Sequence, residues 1–249
     1  MVNREDLLVE LDEILQPDRF DDYGPNGLQV EGRPTILRLV TGVTASLALI
    51  DRAIALRADA ILVHHGWFWR GEDARVVGQK ARRLRALMGA DINLLAYHLP
   101  LDAHPLYGNN ATLAAHMGWT VDGRFGRQDL GMTGQAPACR TLGDLARALK
   151  DGLRRAPVLV GDPGAPVGRL AWCTGAAQDW ISQAGAAGAN TYVSGEISEP
   201  TAHYAREMGV AYLACGHHAT ERYGVRALGT HLAQRFDLEH HFIDLDNPA

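Results

Sequence analysis

Short apolar runs alternate along the chain with segments whose apolar residues recur at helical spacing. Such alternation predicts strands and helices in turn, and therefore a parallel sheet covered by helices. The pattern occurs once in each half of the chain. The extended runs are residues 36–41 and 60–63 in the first half, and residues 170–174 and 191–194 in the second. We therefore predict an α/β fold.

The two halves follow the same order of elements. Ile50 and Ala53 of the first predicted helix match Ile181 and Ala184 of the second at a constant offset, although chance similarity is the alternative in a chain this rich in alanine. We predict two pseudo-repeated α/β lobes, residues 1–125 and 126–249, because residues 123–135 are rich in glycine and polar residues. A closing strand at 241–245 is free to pack back on the first lobe.

Local signals predict where several helices begin and end. Asn3 can cap a helix that ends at Pro17, and Ser46 can cap the next one. Thr141 and Asp144 have the spacing of a capping box.

Histidines and carboxylates follow three predicted buried strands, where functional side chains collect in a parallel sheet. In two of these places a histidine precedes a carboxylate by four residues. Imidazoles together with carboxylates suit zinc, iron, manganese, nickel or cobalt better than calcium. We predict a centre of two divalent metal ions between the lobes. Its candidate donors are His64 and His65 after residues 60–63, His98 and Asp102 after residues 92–97, and His217 and Glu221 after residues 210–215.

The carboxylates indicate the chemistry of this centre. Asp102 and Glu221 are candidate bridges, because a carboxylate can bridge two cations and offset their repulsion. Two such cations acidify water enough to produce a nucleophile near neutral pH, which indicates hydrolysis. Successive strand residues point to opposite faces, so His64 and His65 serve one centre only if the chain turns at Gly66.

Glu196 occupies the position of the second lobe that corresponds to the His64-His65 doublet. It could orient a ligand histidine, act as a base on water, or cap the helix that begins near Pro200. His218, which adjoins His217, is a candidate substrate contact.

Three consecutive aromatic residues, Trp67, Phe68 and Trp69, cannot all point inward from one strand. One of them could form a stacking wall for a planar substrate or part of a subunit interface. The segment from Asp21 to Gly27 concentrates turn formers and is interpreted as a surface loop rather than a substrate loop. The other histidines are interpreted as capped or solvated residues, namely His104, His116, His203, His231, His240 and His241.

Composition limits the remaining possibilities. The 249 residues are 47% hydrophobic, carry a formal net charge of −5 and include three cysteines without a C-x-x-C pair. We expect reduced cysteines, no nucleic-acid polymer as partner and no membrane segment. The charged N-terminus lacks the apolar core of a signal peptide, so we expect a soluble cytoplasmic protein.

Several motifs in register resemble one known family. They are Asp22–Gly32, Val63–Gly66, His98–Asp102, Gly108–Asn110 and Gly216–Glu221. They are similar to the dinuclear-metal hexameric family labelled GTP cyclohydrolase 1 type 2 homologues, in particular its short YbgI-type bacterial members. The resemblance implies a ring-shaped homohexamer with two metal ions per subunit, and it places His98 close to the metals. The implied ligands are His64, His65, Asp102, His217 and Glu221.

The family label implies hydrolytic opening of the guanine ring of GTP. No Walker-type glycine loop is present to hold a triphosphate, so the small-molecule substrate could be another purine-like or cyclic amide compound. We expect a dinuclear-metal-dependent hydrolase acting on a C–N bond, with Glu196 and His98 as candidate catalytic residues. The alternative is a non-catalytic metal-binding ring protein for metal storage, delivery or partner interaction, and composition does not separate the two.

Overall fold

The computed structural model describes all 249 residues and contains thirteen strands and nine α-helices. None of the helices has both the length and the apolar character that a membrane span needs. The strands are β1 (Val2–Asn3), β2 (Gly27–Val30), β3 (Thr35–Ile36), β4 (Arg38–Thr44), β5 (Ala60–His65), β6 (Asn93–Ala96), β7 (Thr120–Phe125), β8 (Gly131–Gln135), β9 (Val158–Val160), β10 (Leu170–Cys173), β11 (Thr191–Ser194), β12 (Ala211–Ala214) and β13 (Glu239–Phe242). The helices are α1 (Arg4–Leu15), α2 (Leu47–Ala55), α3 (Gly78–Gly89), α4 (Leu99–Ala103), α5 (Asn109–Met117), α6 (Leu142–Leu153), α7 (Ile181–Ala186), α8 (Glu199–Met208) and α9 (His217–Phe236).

The chain forms two compact units. The first comprises Met1–Tyr107 and Val225–Asp246, and the second comprises Gly108–Gly224 and Asn247–Ala249. The first unit contains a five-stranded sheet in the order β13-β4-β5-β6-β2, in which only β2 is antiparallel to its neighbour. The second contains a six-stranded sheet in the order β7-β8-β10-β11-β12-β9, in which β10, β11 and β12 are parallel.

Side-chain alternation along β5 explains why the first sheet is covered on both faces. Leu62 packs into a buried cluster with Leu7 of α1, whereas Ile61 and Val63 pack into a second cluster with Ile50 of α2. Because successive strand residues point to opposite faces, a strand that is apolar throughout must be buried on both sides. The mixed α/β fold predicted from the sequence is confirmed.

The two sheets share a strand order. In each, three parallel strands follow one another in chain order, β4-β5-β6 in the first unit and β10-β11-β12 in the second. In each, an antiparallel strand then pairs with the third, β2 with β6 and β9 with β12. The likeness in sequence order therefore corresponds to a likeness in topology.

The predicted helix caps are confirmed. The Asn3 side chain accepts from the Glu5 backbone N–H, and the Ser46 side chain caps α2 in the same way. Thr141 and Asp144 form the reciprocal capping box at the start of α6. Each cap satisfies backbone donors that the first helical turn leaves without an intrahelical partner.

The boundary between the units lies after Tyr107, whereas the glycine-rich segment predicts a boundary after residue 125. Helix α5 packs Leu113 into the core of the second unit, and the glycine-rich segment forms the antiparallel strands β7 and β8 instead of a linker. A Cβ at Gly134 would collide with the Thr120 carbonyl oxygen, so this glycine permits close approach of two strands. The closing strand β13 pairs with β4 and belongs to the first unit.

The environment of His240 predicts that the first unit loses stability in acid. Burial, together with the positive charges of His241 and Arg226, lowers the pKa of His240 from 6.5 to about 4, and its Nε2 lies 2.8 Å from the Thr41 hydroxyl. Between pH 6.5 and about pH 4, His240 is protonated in the unfolded chain but stays neutral in the folded chain. The free energy of unfolding therefore falls as the pH falls through this range. We expect His240→Gln to flatten the pH dependence of the urea unfolding midpoint.

The matched control is His203→Gln on the exposed side of α8, which should keep the wild-type slope. An unchanged slope in His240→Gln would show that His240 does not drive the acid sensitivity.

Candidate metal centre

Strand ends bring three imidazoles together in the first unit. His64 and His65 are the last residues of β5, and His98 follows the neighbouring parallel strand β6. The ligand atoms of these three histidines all lie within 4.8 Å of one another. Asp102, which is buried in α4, has its Oδ1 3.5 Å from the His64 Nε2. All four donors predicted for this half of the chain therefore lie in one cluster.

Each of these imidazoles has its Nδ1 within hydrogen-bond distance of an oxygen atom. The Nδ1 of His64 lies 3.1 Å from the Tyr97 carbonyl oxygen, that of His65 3.1 Å from the Thr44 hydroxyl, and that of His98 2.7 Å from Asp22 Oδ1. A carbonyl or carboxylate oxygen can only accept, and the threonine hydroxyl can accept as well. When Nδ1 carries the hydrogen, the lone pair is on Nε2, the usual state of a histidine that binds a metal.

The segment interpreted as a surface loop fixes His98 in place. The buried Asp22 carboxylate accepts from the His98 ring and from the Leu99 N–H, and it is also bonded by Asn26. The Asn26 Oδ1 accepts from the His98 N–H at 2.8 Å. Burial alone would raise the pKa of Asp22, but these hydrogen bonds and the His98 charge lower it below its usual range.

Sequence reasoning assigned no role to Asp22, Asn26 or Thr44. The family resemblance quoted the first two as part of a motif and was the signal that pointed to them. Thr44 precedes a helix cap in a stretch without other distinguishing features.

The chain leaves the sheet at Gly66, as the His64-His65 doublet requires. A Cβ at Gly66 would collide with the Gln29 side chain and with Ala96. Gln29 holds the turn, since its Oε1 accepts from the Trp67 N–H at 2.7 Å. Glycine is therefore required here because space is short between the turn and β6.

The second unit presents its own donor set. Helix α9 begins at His217 directly after β12, and the His217 Nε2 lies 3.1 Å from Oε2 of the buried Glu221 one turn later. The His217 Nδ1 is bound by Glu196 Oε1 at 2.7 Å. Ser198, and not Glu196, is the residue that precedes α8. Three roles were open for Glu196, and the structure shows the contact that the first of them requires, a hydrogen bond that orients a histidine.

The two carboxylates make the surroundings of His217 favourable for positive charge. Burial lowers the pKa of His217, but the hydrogen bonds and negative charges of Glu221 and Glu196 outweigh it and raise the pKa to about 9. The same electrostatic attraction favours a bound cation at this position.

Gly175 lets the backbone approach these donors. It follows β10 with a φ of +70°, and a Cβ there would collide with Glu221 Oε1 and lie 3.2 Å from the His217 Nε2. The Thr220 hydroxyl accepts from the Gly175 N–H at 3.1 Å. A side chain at residue 175 would therefore displace the candidate ligand oxygen.

The spacing of the donors fits a divalent metal. Metal–ligand bonds of about 2.1 Å place two ligands of one ion roughly 3 to 3.5 Å apart. The His64–Asp102 and His217–Glu221 atom pairs, at 3.5 Å and 3.1 Å, meet this expectation. The residues that could hold a metal are His64, His65, His98 and Asp102 in the first unit and His217 and Glu221 in the second.

The three consecutive aromatics have different environments. Trp67 is buried and donates its indole N–H to the Ala45 carbonyl at 2.8 Å. Phe68 is exposed, whereas Trp69 is partly exposed with its ring centroid 5.0 Å from that of His98. His218 lies in the first turn of α9, and its role stays a prediction.

The other histidines bond to groups of the fold. His104 accepts from the Tyr107 N–H, His116 contacts the Gly152 carbonyl, His203 pairs with Glu199, His231 contacts the Tyr107 hydroxyl, His240 contacts Thr41 and His241 pairs with Glu239.

Comparison with known proteins identifies the family. The family model described as Duf34/NIF3 (NGG1p interacting factor 3) matches residues 2–248. The chain belongs to the Duf34/NIF3 family. The resemblance read from the sequence motifs is thereby confirmed.

Relatives within the Duf34/NIF3 family are similar over their whole length. The GTP cyclohydrolase 1 type 2 homolog of Pseudomonas aeruginosa is 53% identical over 246 residues, which are 98% of this chain and 97% of the relative. The protein of that name from Escherichia coli K12 is 48% identical over 240 residues, 96% of each chain. A solved structure described as "Structural genomics, protein ybgI, unknown function" is 47% identical with a TM-score of 0.96 and full coverage of both chains.

Substitution of Gly175 tests whether its missing side chain keeps Glu221 in place. Gly175→Ala should lower the metal content of the purified protein, because the new methyl group displaces the Glu221 carboxylate. Gly209→Ala is the matched control, since Gly209 has a φ of +68° but nothing within 4 Å of the added Cβ. Both variants bear a backbone strain of about 1 to 2 kcal/mol, so a loss of metal in Gly175→Ala alone is due to the collision with Glu221.

Elemental analysis after loading with zinc or manganese measures the difference in metal content. Equal metal content in the two variants would remove Gly175 from the support of the site.

Proposed function

We propose that the two donor sets bind one pair of divalent cations and that the protein is a metal-dependent hydrolase. Its reaction would be hydrolysis of a C–N bond in a cyclic amide or purine-like small molecule. The donor types support this proposal, because imidazoles with two carboxylates are typical of sites that hold catalytic transition metals.

The observation that carries the proposal is the common state of four imidazoles. In each of them the Nδ1 atom lies within hydrogen-bond distance of an oxygen atom of the protein. The four are His64, His65, His98 and His217. Structural histidines do not require this common arrangement, and His104, for example, accepts at Nδ1 from two backbone N–H groups. In His64, His65 and His217 this arrangement leaves Nε2 as the atom that would bind a cation, and in His98 it leaves Nε2 as the atom that would hold a proton.

A pair of divalent cations held there would supply the Lewis acidity that amide hydrolysis needs. His98 has the position of a general acid, because Asp22 fixes its ring and its Nε2 can hold a proton for the leaving nitrogen. Glu196 keeps His217 oriented through Nδ1 and is 41% exposed, so it also borders solvent. Asp102 and Glu221 supply the negative charge that offsets the charges of the cations.

The substrate class is supported by the printed names of the relatives. Proteins about half identical to this chain are called GTP cyclohydrolase 1 type 2 homologs, which favours opening of a nitrogen-containing ring. Following the same resemblance, we propose a homohexamer that works in the cytoplasm on a small molecule.

Removal of a carboxylate tests the ligand assignment. Asp102→Ala and Glu221→Ala should each lower the metal content measured by elemental analysis, while circular dichroism shows a folded chain. Glu207→Ala, at an exposed position of α8, is the control and should keep full occupancy. Full occupancy in both test variants would exclude Asp102 and Glu221 as ligands.

A turnover measurement tests the hydrolase assignment. The metal-loaded protein is incubated in ¹⁸O-labelled water with purine nucleotides and cyclic amides, and ring opening is followed by mass spectrometry. We expect one substrate to gain labelled oxygen, and we expect His98→Gln to slow the reaction about 100-fold or more, because general acid catalysis contributes that much.

Metal-loaded protein that opens no ring in this screen would favour the alternative, a metal-binding protein without catalytic activity. Full activity of His98→Gln would instead remove His98 from the mechanism.

A further inference from the structure

Two aromatic rings border His98 and are open to solvent. Tyr23 is 52% exposed, and its ring centroid lies 6.1 Å from that of His98. Trp69 is partly exposed, with its ring centroid 5.0 Å from that of His98 and 6.2 Å from that of His65. We call Tyr23 and Trp69 the aromatic rim. Their exposure contrasts with Trp67 two residues earlier, which is buried and hydrogen-bonded within the core.

Hydrogen bonds fix the two loops that carry the rim. The Arg70 N–H donates to the Tyr23 carbonyl at 2.6 Å, and the Arg70 guanidinium donates to the Asp22 carbonyl at 2.9 Å. Gln29 Nε2 donates to the Pro25 carbonyl at 2.8 Å and to the Trp67 carbonyl at 3.1 Å. The backbone that carries the rim is therefore held in place before any ligand arrives, which reduces the entropy lost on binding.

Gly24 lies against the Trp69 ring. A Cβ at Gly24 would lie 3.2 Å from Trp69 Cε3, so the missing side chain allows the loop to rest on the indole. The loop that carries Tyr23 also carries Asp22, which orients His98. The same short segment thus sets the position of an exposed aromatic ring and of a candidate catalytic imidazole.

We propose that the aromatic rim binds a planar nitrogen heterocycle by stacking and holds it beside His98. This inference rests on the proposed function, because it names the part of the hydrolase that selects the substrate ring. Exposed aromatic rings at a fixed position suit a flat π-system, and stacking on an aromatic side chain tolerates any base with a π-face. The rim therefore selects planar rings over saturated rings of similar size and polarity.

Binding of nucleosides to the metal-loaded protein tests the proposal without turnover. Isothermal titration calorimetry compares guanosine, uridine and 5,6-dihydrouridine. Only dihydrouridine has a non-planar base. We expect guanosine and uridine to bind, and dihydrouridine to bind at least fivefold more weakly than uridine.

Variants of the rim locate the binding. Trp69→Leu and Tyr23→Leu should weaken guanosine binding about tenfold, whereas Trp69→Phe and Tyr23→Phe should retain most of it. Phe68→Leu is the matched control. Phe68 is an exposed aromatic residue next to Trp69, but its ring contacts the Lys80 ammonium group instead of His98. Unchanged metal content in all variants shows that the donor cluster is intact.

The outcomes separate this inference from the proposed function. Guanosine binding that depends on the rim, in a protein that opens no ring, supports the rim and contradicts the hydrolase. Ring opening with an unchanged KM in Trp69→Leu and Tyr23→Leu supports the hydrolase and overturns the rim. Failure of guanosine and uridine to bind, or equal affinity for uridine and dihydrouridine, also overturns it.

Discussion

The candidate ligand histidines depend on hydrogen bonds made at their second nitrogen. The Nδ1 of His64 faces a backbone carbonyl, and those of His98 and His217 face carboxylates. Each bond fixes the rotation of the ring and places a hydrogen on Nδ1, so Nε2 points in a defined direction. Loss of such a partner typically costs about 10- to 100-fold in metal affinity. The fold therefore positions the candidate ligands through the oxygens bonded to them as much as through the strands and helices that carry them.

The repeated topology explains why donors occur at corresponding places. Each unit has three parallel strands in chain order, and each places a histidine and a carboxylate after the third. The units differ after their second strand, where β5 ends in His64 and His65 but β11 is followed by Gly195 and Glu196. The first unit therefore contains three candidate donor imidazoles, and the second contains one, whose Nδ1 is bound by Glu196. The two units thus share a strand order and differ in the chemistry of their strand ends.

The features that the sequence predicted are local. An apolar run with a histidine at its end indicates a strand end, and Asn3 or Ser46 before a helical pattern indicates a cap, since both depend on neighbours within a few residues. The partners of the ligand histidines lie far away in the chain. Asp22 precedes His98 by 76 residues, and Glu196 precedes His217 by 21. No periodicity indicates the Asp22–His98 contact, which only the fold shows, whereas orientation of a histidine by Glu196 was one of three alternatives that the sequence left open.

The glycine-rich segment shows a second limit of sequence reasoning. Glycine can indicate a flexible linker or a close approach of backbones, and composition cannot distinguish them. Gly134 in β8 is of the second kind, because the neighbouring strand leaves no space for a side chain. Gly175 likewise gives space to Glu221, and Gly66 gives space to Gln29 and Ala96 at the turn after β5, which becomes evident only when their neighbours are known.

Anomalous diffraction from crystals of the zinc-loaded protein tests the central claim most directly. We expect two peaks per chain about 3.5 to 4 Å apart, which is the spacing of two-metal sites. We expect the two ions to share His64, His65, Asp102, His217 and Glu221 as ligands. A single peak, or two peaks in separate places each ligated by only one of the donor sets, would contradict the central claim.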